Sequence, residues 1–99
     1  MTGVAKSWNS IPRPFALGQN FPNPFNPATR IRYSLPEARY VRLCIFDMPG
    51  RCIMTLVDGE MEAGYHEVSI SSENLSSGMY FYRIETGSFT ATRRMMVLK

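Results

Sequence analysis

Histidine and tryptophan each occur once and cysteine twice, and no segment approaches the run of about 18 apolar residues that a membrane-spanning helix needs. Residues 1–15 also lack the continuous apolar stretch of a secretory signal. Direct membrane insertion of this segment is therefore not expected. With one histidine, any Ser/His/Asp or Cys/His arrangement would have to use His66, which sits at an inward-facing strand position where a packed, hydrogen-bonded ring is the expected role. No G-x-S-x-G elbow and no glycine-rich phosphate loop occurs. Two cysteines and a histidine do not supply the four-ligand spacing of structural zinc, and no acidic loop carries the ligand count that calcium takes. No metal or other cofactor is expected.

The charged residues lead to the same exclusion. Glu60, Glu62 and Glu67 gather near a crossover, but a domain this small has no room for a deep cleft beside its core, so they read as solvated charges. Arg30, Arg32, Arg42, Arg51, Arg83, Arg93 and Arg94 are interspersed with acids, and the net charge is only +3, which does not call for nucleic acid as a partner. Charges of this kind on strands commonly guard sheet edges. The chain is accordingly expected to be non-catalytic.

What the sequence does contain is alternation. Residues 29–35 place Ile31, Tyr33 and Leu35 on one face and Arg30, Arg32 and Ser34 on the other. Val41, Leu43 and Ile45 alternate with Arg42 and Cys44 until Asp47-Met48-Pro49-Gly50 reverses the chain. In residues 51–57, Ile53 and Leu56 are the expected inward anchors, at an odd spacing that requires a bulge or twist between them. Residues 58–64 read as a turn-rich crossover, followed by His66, Val68 and Ile70 alternating with Tyr65, Glu67 and Ser69. Tyr80, Tyr82 and Ile84 form the inward face of the most aromatic strand, and Met95 and Val97 are the expected core-facing pair of the last one. Six or seven such strands, separated by Gly, Pro, Asn and Asp turns, predict an all-β, immunoglobulin-like antiparallel β-sandwich of about seven strands.

Residues 1–16 carry Gly3, Ser7, Pro12 and Pro14 without periodicity and read as a flexible linker from an upstream domain, with Trp8 as an exposed linker residue. The sandwich is expected over residues 17–99, with a last strand whose removal would take core contacts with it. Cys44 and Cys52 lie either side of a turn. Their expected placement is diagonal rather than opposite, so two outward-facing thiols are the default reading and a bridge is the alternative.

Between linker and first long strand stands the most unusual stretch, Gln19-Asn20-Phe21-Pro22-Asn23-Pro24-Phe25-Asn26-Pro27, with three prolines, three asparagines and two phenylalanines. Each proline lacks an N–H and biases its predecessor toward extended geometry, so a stiff, turning, PPII-like ribbon is expected. Phe21 and Phe25 are its expected anchors on the core.

Taken together, residues 17–29 with that ribbon, residues 31–36, Asp47-x-x-Gly50-Arg51, Gly64-x-His66, Ser77-Gly78-Met79-Tyr80-Phe81-Tyr82 and a basic-apolar final strand ending in Lys99 resemble the type IX secretion C-terminal sorting domain. The immunoglobulin-like domain of flagellar hook-capping proteins shares part of this pattern. The resemblance implies a domain that directs a larger cargo protein through the periplasm and across the outer membrane to the cell surface. Its implied partners are an outer-membrane translocon, a sortase-like cysteine protease and the upstream cargo domain. The implied recognition residues are Asn20, Phe21, Pro22, Asn23, Pro24, Phe25, Asn26, Pro27, Asp47, Gly50, Gly78 and Tyr80, with Arg93, Arg94, Met95 and Lys99 on the last strand. The alternative is an immunoglobulin-like accessory module that binds carbohydrate or protein, which would need two or three coplanar aromatic rings on one open face.

Overall fold

The computed structural model describes residues 14–99. Trp8, and all but the end of the linker reading for residues 1–16, lie outside them. Seven strands form: β1 Ala16–Leu17, β2 Ala28–Leu35, β3 Arg39–Phe46, β4 Cys52–Met61, β5 Gly64–Ser71, β6 Gly78–Glu85 and β7 Thr90–Val97. They make a three-stranded sheet in the order β1-β2-β5 and a four-stranded sheet in the order β4-β3-β6-β7, each antiparallel throughout. This is the all-β, immunoglobulin-like sandwich arrangement that the alternating pattern predicts.

The alternation decides which side chains fill it. Ile31, Tyr33 and Leu35 of β2 are buried together with Val41, Leu43 and Ile45 of β3, Tyr80, Tyr82 and Ile84 of β6, and Met95 and Val97 of β7. Each set follows a period of two, so these four strands turn an apolar face inward and the sheets close over it. Phe15, just ahead of β1, already packs, its ring stacked on Phe89 at 5.2 Å between centroids. His66 on β5 takes the packed role expected of it, stacked on Tyr33 at 5.1 Å with Nε2 hydrogen-bonded to the Glu62 carbonyl at 2.7 Å.

Strand β4 departs from expectation in two ways. Val57, not Ile53 or Leu56, is its fully buried residue, while Ile53 is exposed and Leu56 half-buried. The register explains it: Leu43 faces Val57 but Cys44 faces Thr55, and Ile45 faces Met54 but Phe46 faces Cys52. Leu56 and Ile53 are thus the two extra residues of successive β-bulges, left without partners on β3. The second departure is length. Residues 58–61, which read as crossover, pair with Arg39–Arg42 as the end of β4, because a satisfied backbone ladder overrides the weak strand propensity of Asp and Gly. The crossover itself shrinks to Glu62 and Ala63 and is completed by Gly64, whose φ of 132° favours glycine.

Candidate recognition surface

In the four-stranded sheet β7 lies at one edge, and an edge strand presents a row of unpaired N–H and C=O groups. Residues 18–27 run along that edge and occupy those groups. Gln19 Nε2 donates to the Arg94 carbonyl at 2.7 Å, and the Met96 amide donates to Asn23 Oδ1 at 2.9 Å. The Phe25 amide donates to the Met96 carbonyl at 3.0 Å, the Leu98 amide donates to the Phe25 carbonyl at 3.2 Å, and Phe25 and Val97 form a parallel bridge. The ribbon therefore serves as a partial extra strand. Its three prolines carry no N–H, which leaves few donors of its own to satisfy, and asparagine side chains make up the pairing that a regular strand would make with its backbone.

Beneath the ribbon is a polar cluster. Asn20 is only 2% exposed, and its backbone N–H donates to the Tyr82 hydroxyl oxygen at 2.8 Å while that hydroxyl donates to the Gly18 carbonyl at 2.7 Å. Burial raises the Tyr82 phenol above its ordinary range, which keeps it a neutral donor. The Asn20 side-chain amide donates to Thr29 Oγ1 and to the Pro22 carbonyl, each at 3.1 Å, and Thr29 Oγ1 donates to the same carbonyl at 2.7 Å. At the far end Ser72 Oγ donates to Asn26 Oδ1 at 2.9 Å and the Ser72 amide to the Pro27 carbonyl at 2.7 Å. The ribbon is thus held by both sheets at once.

Two expectations for this stretch are corrected. Phe25 is buried at 2% exposure, but Phe21 is 72% exposed and anchors nothing by its ring. Its backbone pairs with Arg30, and in an extended chain that turns its neighbour Asn20 inward and its own side chain out. Nor is the stretch a PPII run: it is a succession of bends and single bridges, with Phe21-Pro22, Asn23-Pro24 and Asn26-Pro27 all cis.

On the last strand only Arg93, Arg94 and Lys99 of the implied recognition set are exposed, while Met95, expected among them, is a core residue because its register turns it inward. Met95 is wholly buried, and Gly78 and Tyr80 of β6 face Val97 and Met95 across the ladder, with the Tyr80 hydroxyl donating to the Ser76 carbonyl at 2.8 Å. Arg93 has an inward register yet is exposed, because its guanidinium reaches across the mouth of the sandwich to donate through Nε to the Leu17 carbonyl at 2.5 Å. Arg94 points outward beside Gln19, Phe81 and Thr92, and with Arg93 these line an open depression of ≈ 550 Å³. Lys99 is tied down by its amide to Ser77 Oγ at 2.9 Å.

Asp47 and Gly50 lie apart from this seam, in the β3–β4 turn, with β6 between β3 and β7. Their contacts there hold the turn: Asp47 Oδ1 accepts from the Arg51 amide at 2.8 Å, Oδ2 from Arg51 Nε at 2.9 Å, and Gly50 adopts a φ of 98°. The hydrogen bond from the Arg51 amide, with the Arg51 guanidinium beside it, holds the Asp47 carboxyl below its ordinary range. A depressed carboxyl contributes stability above its unfolded value and loses it as pH falls through the folded one. Melting temperatures of the wild type and Asp47→Asn should therefore differ at neutral pH in favour of the wild type and converge once the solution is acidic enough to protonate Asp47.

The family model described as the secretion system C-terminal sorting domain matches residues 19–98, from the start of the ribbon to the end of β7. Neither the comparison with curated proteins nor that with solved structures gives a match.

Proposed function

This chain belongs to the secretion system C-terminal sorting domain family, the sorting domains of type IX secretion, and we propose that it is a non-catalytic export signal whose recognised surface is the seam between the ribbon and β7. The observation that supports this reading most is the lacing itself. The ribbon and β7, some seventy residues apart in sequence, form one continuous edge through Gln19–Arg94, Asn23–Met96 and Phe25–Val97 contacts. A receptor meeting that edge would read both at once. An outer-membrane translocon is the expected reader, with the cargo upstream and a sortase-like cysteine protease cutting in the linker of residues 1–16.

In this reading the fold presents a surface and carries no reaction. Among the described residues the aromatic side chains lend the accessory-module alternative no support, since the exposed Phe21, Tyr40 and Tyr65 are dispersed over the ribbon, β3 and β5. Fusion of the full chain to a periplasmic reporter, in a host that has the type IX apparatus, tests the proposal. Surface delivery is expected for the full chain and its loss for a fusion lacking residues 90–99. Equal delivery of the two would overturn it.

A further inference from the structure

Away from the seam, β3 and β4 bring the two cysteines together on the outer face of the four-stranded sheet. Cys44 faces Thr55 and Cys52 faces Phe46, with the unpaired Ile53 of the bulge directly after Cys52 on β4. One hydroxyl touches both sulfurs: Thr55 Oγ1 lies 3.7 Å from Cys44 Sγ and 4.0 Å from Cys52 Sγ. Arg42 Nε donates to Cys44 Sγ at 3.4 Å. Cys52 is exposed, but Cys44, expected to face solvent, is 3% exposed. Its outward register is covered by the neighbouring Arg42 and Thr55 contacts.

The two cysteines border a depression of ≈ 190 Å³ whose other lining residues are Arg42, Phe46, Arg83 and Glu85. The Arg83 guanidinium stacks over the Phe46 ring at 4.4 Å, and its buried Nε sits 3.1 Å from Glu85 Oε2 without hydrogen-bond alignment. Two guanidiniums thus flank two free thiols in a small open pocket. Burial pushes the Cys44 thiol up, but hydrogen bonds from Arg42, Thr55 and Cys52 outweigh it and the net shift is downward. A thiolate held by a guanidinium is the reactive form of cysteine.

We propose that Cys44 and Cys52 are a redox-active dithiol that closes to an intrachain disulfide by exchange with a small anionic disulfide such as oxidised glutathione. The exposed Cys52 thiolate attacks one sulfur of the external disulfide, forming a mixed disulfide and releasing one thiolate. Cys44 then attacks Cys52 Sγ, the mixed disulfide breaks, and the second external thiolate leaves. The two protons lost by the cysteines end on the two released thiols, and two electrons pass to the external disulfide. Arg42 serves the second step by stabilising the Cys44 thiolate to which its Nε donates, and the two guanidiniums attract the carboxylates of the incoming disulfide. Because Cys44 and Cys52 are diagonal rather than opposite, the closed bond carries strain and is readily reduced, which makes it a switch and not a staple.

The test is mass spectrometry of the native chain after exposure to oxidised glutathione. The wild type is expected to lose the mass of two hydrogens as a monomer, with peptide mapping joining Cys44 to Cys52, and to recover on mild reduction. Cys44→Ser should stop at one glutathionyl group on Cys52, Cys52→Ser should stay unmodified, and Arg42→Gln should slow closure about tenfold while the mixed disulfide accumulates. A wild-type chain that remains unmodified, keeps a stable glutathionyl group or becomes a covalent dimer would overturn the proposal.

Discussion

Replacing Phe25 by alanine is expected to destabilise the domain by about 3–5 kcal/mol, the cost of emptying a large aromatic site in a closed core. Its ring is buried in the same cluster as Val97 and Met95, and its N–H and C=O are bonded to Met96 and Leu98, so neighbours have little freedom to collapse into the void. Phe21→Ala, four residues away in the same ribbon, should change stability by no more than about 0.5 kcal/mol, since that ring is in solvent. Denaturant unfolding followed by circular dichroism measures both. Similar losses for the two variants would mean that the ribbon is not seated as described.

The second large effect is expected at Tyr82. Tyr82→Phe keeps the ring that fills the core but removes the hydroxyl that accepts from the Asn20 amide and donates to the Gly18 carbonyl. The Asn20 amide and the Gly18 carbonyl, both in the ribbon, then lose that partner, at a cost of about 1–3 kcal/mol. The loss should appear as a lower urea midpoint at an unchanged denaturant slope, because the buried area hardly alters. Amide exchange at Asn20 should also accelerate. An unchanged midpoint would show that the hydroxyl network is incidental to the ribbon's hold.

These two side chains also mark where sequence reasoning reached and where it stopped. Tyr82, Ile84, Met95 and Val97 were legible because burial on one face of a strand writes a period of two into the sequence, and the alternation survives whatever partners the strand takes. Phe25 was legible from its size alone. Asn20 was not, because what buries it is the hydroxyl of Tyr82, a partner that only the closed sandwich brings near. Choosing anchors by apolar size therefore assigned Phe21 the place that belongs to its polar neighbour. The signal available was the doubling of asparagine and proline, which needs side-chain acceptors and donors somewhere, though not which strand supplies them.

The bulges of β4 failed for a related reason. Ile53 and Leu56 have the composition of inward residues, and their odd spacing did announce a bulge, but which residue of a bulge loses its partner depends on the register against β3. The same register brings Cys52 to the side of Thr55 and Cys44. Of the residues that the family resemblance implies for recognition, those of the ribbon and the last strand lie side by side, while Asp47 and Gly50 belong to a turn held by contacts to Arg51.

That the ribbon and β7 are read as a single surface is tested most directly by altering its exposed side chains without touching the bonds that hold it. Phe21 and Arg94 both project into solvent and are fixed through their backbones, Phe21 paired with Arg30 of β2 and the Arg94 carbonyl accepting from Gln19. A reporter fused to the chain carrying Phe21→Ser with Arg94→Ser should keep its stability within about 0.5 kcal/mol of the parent and yet remain in the periplasm of a type IX host. Delivery of that double variant to the cell surface at the parental level, with the fold intact, would contradict the account.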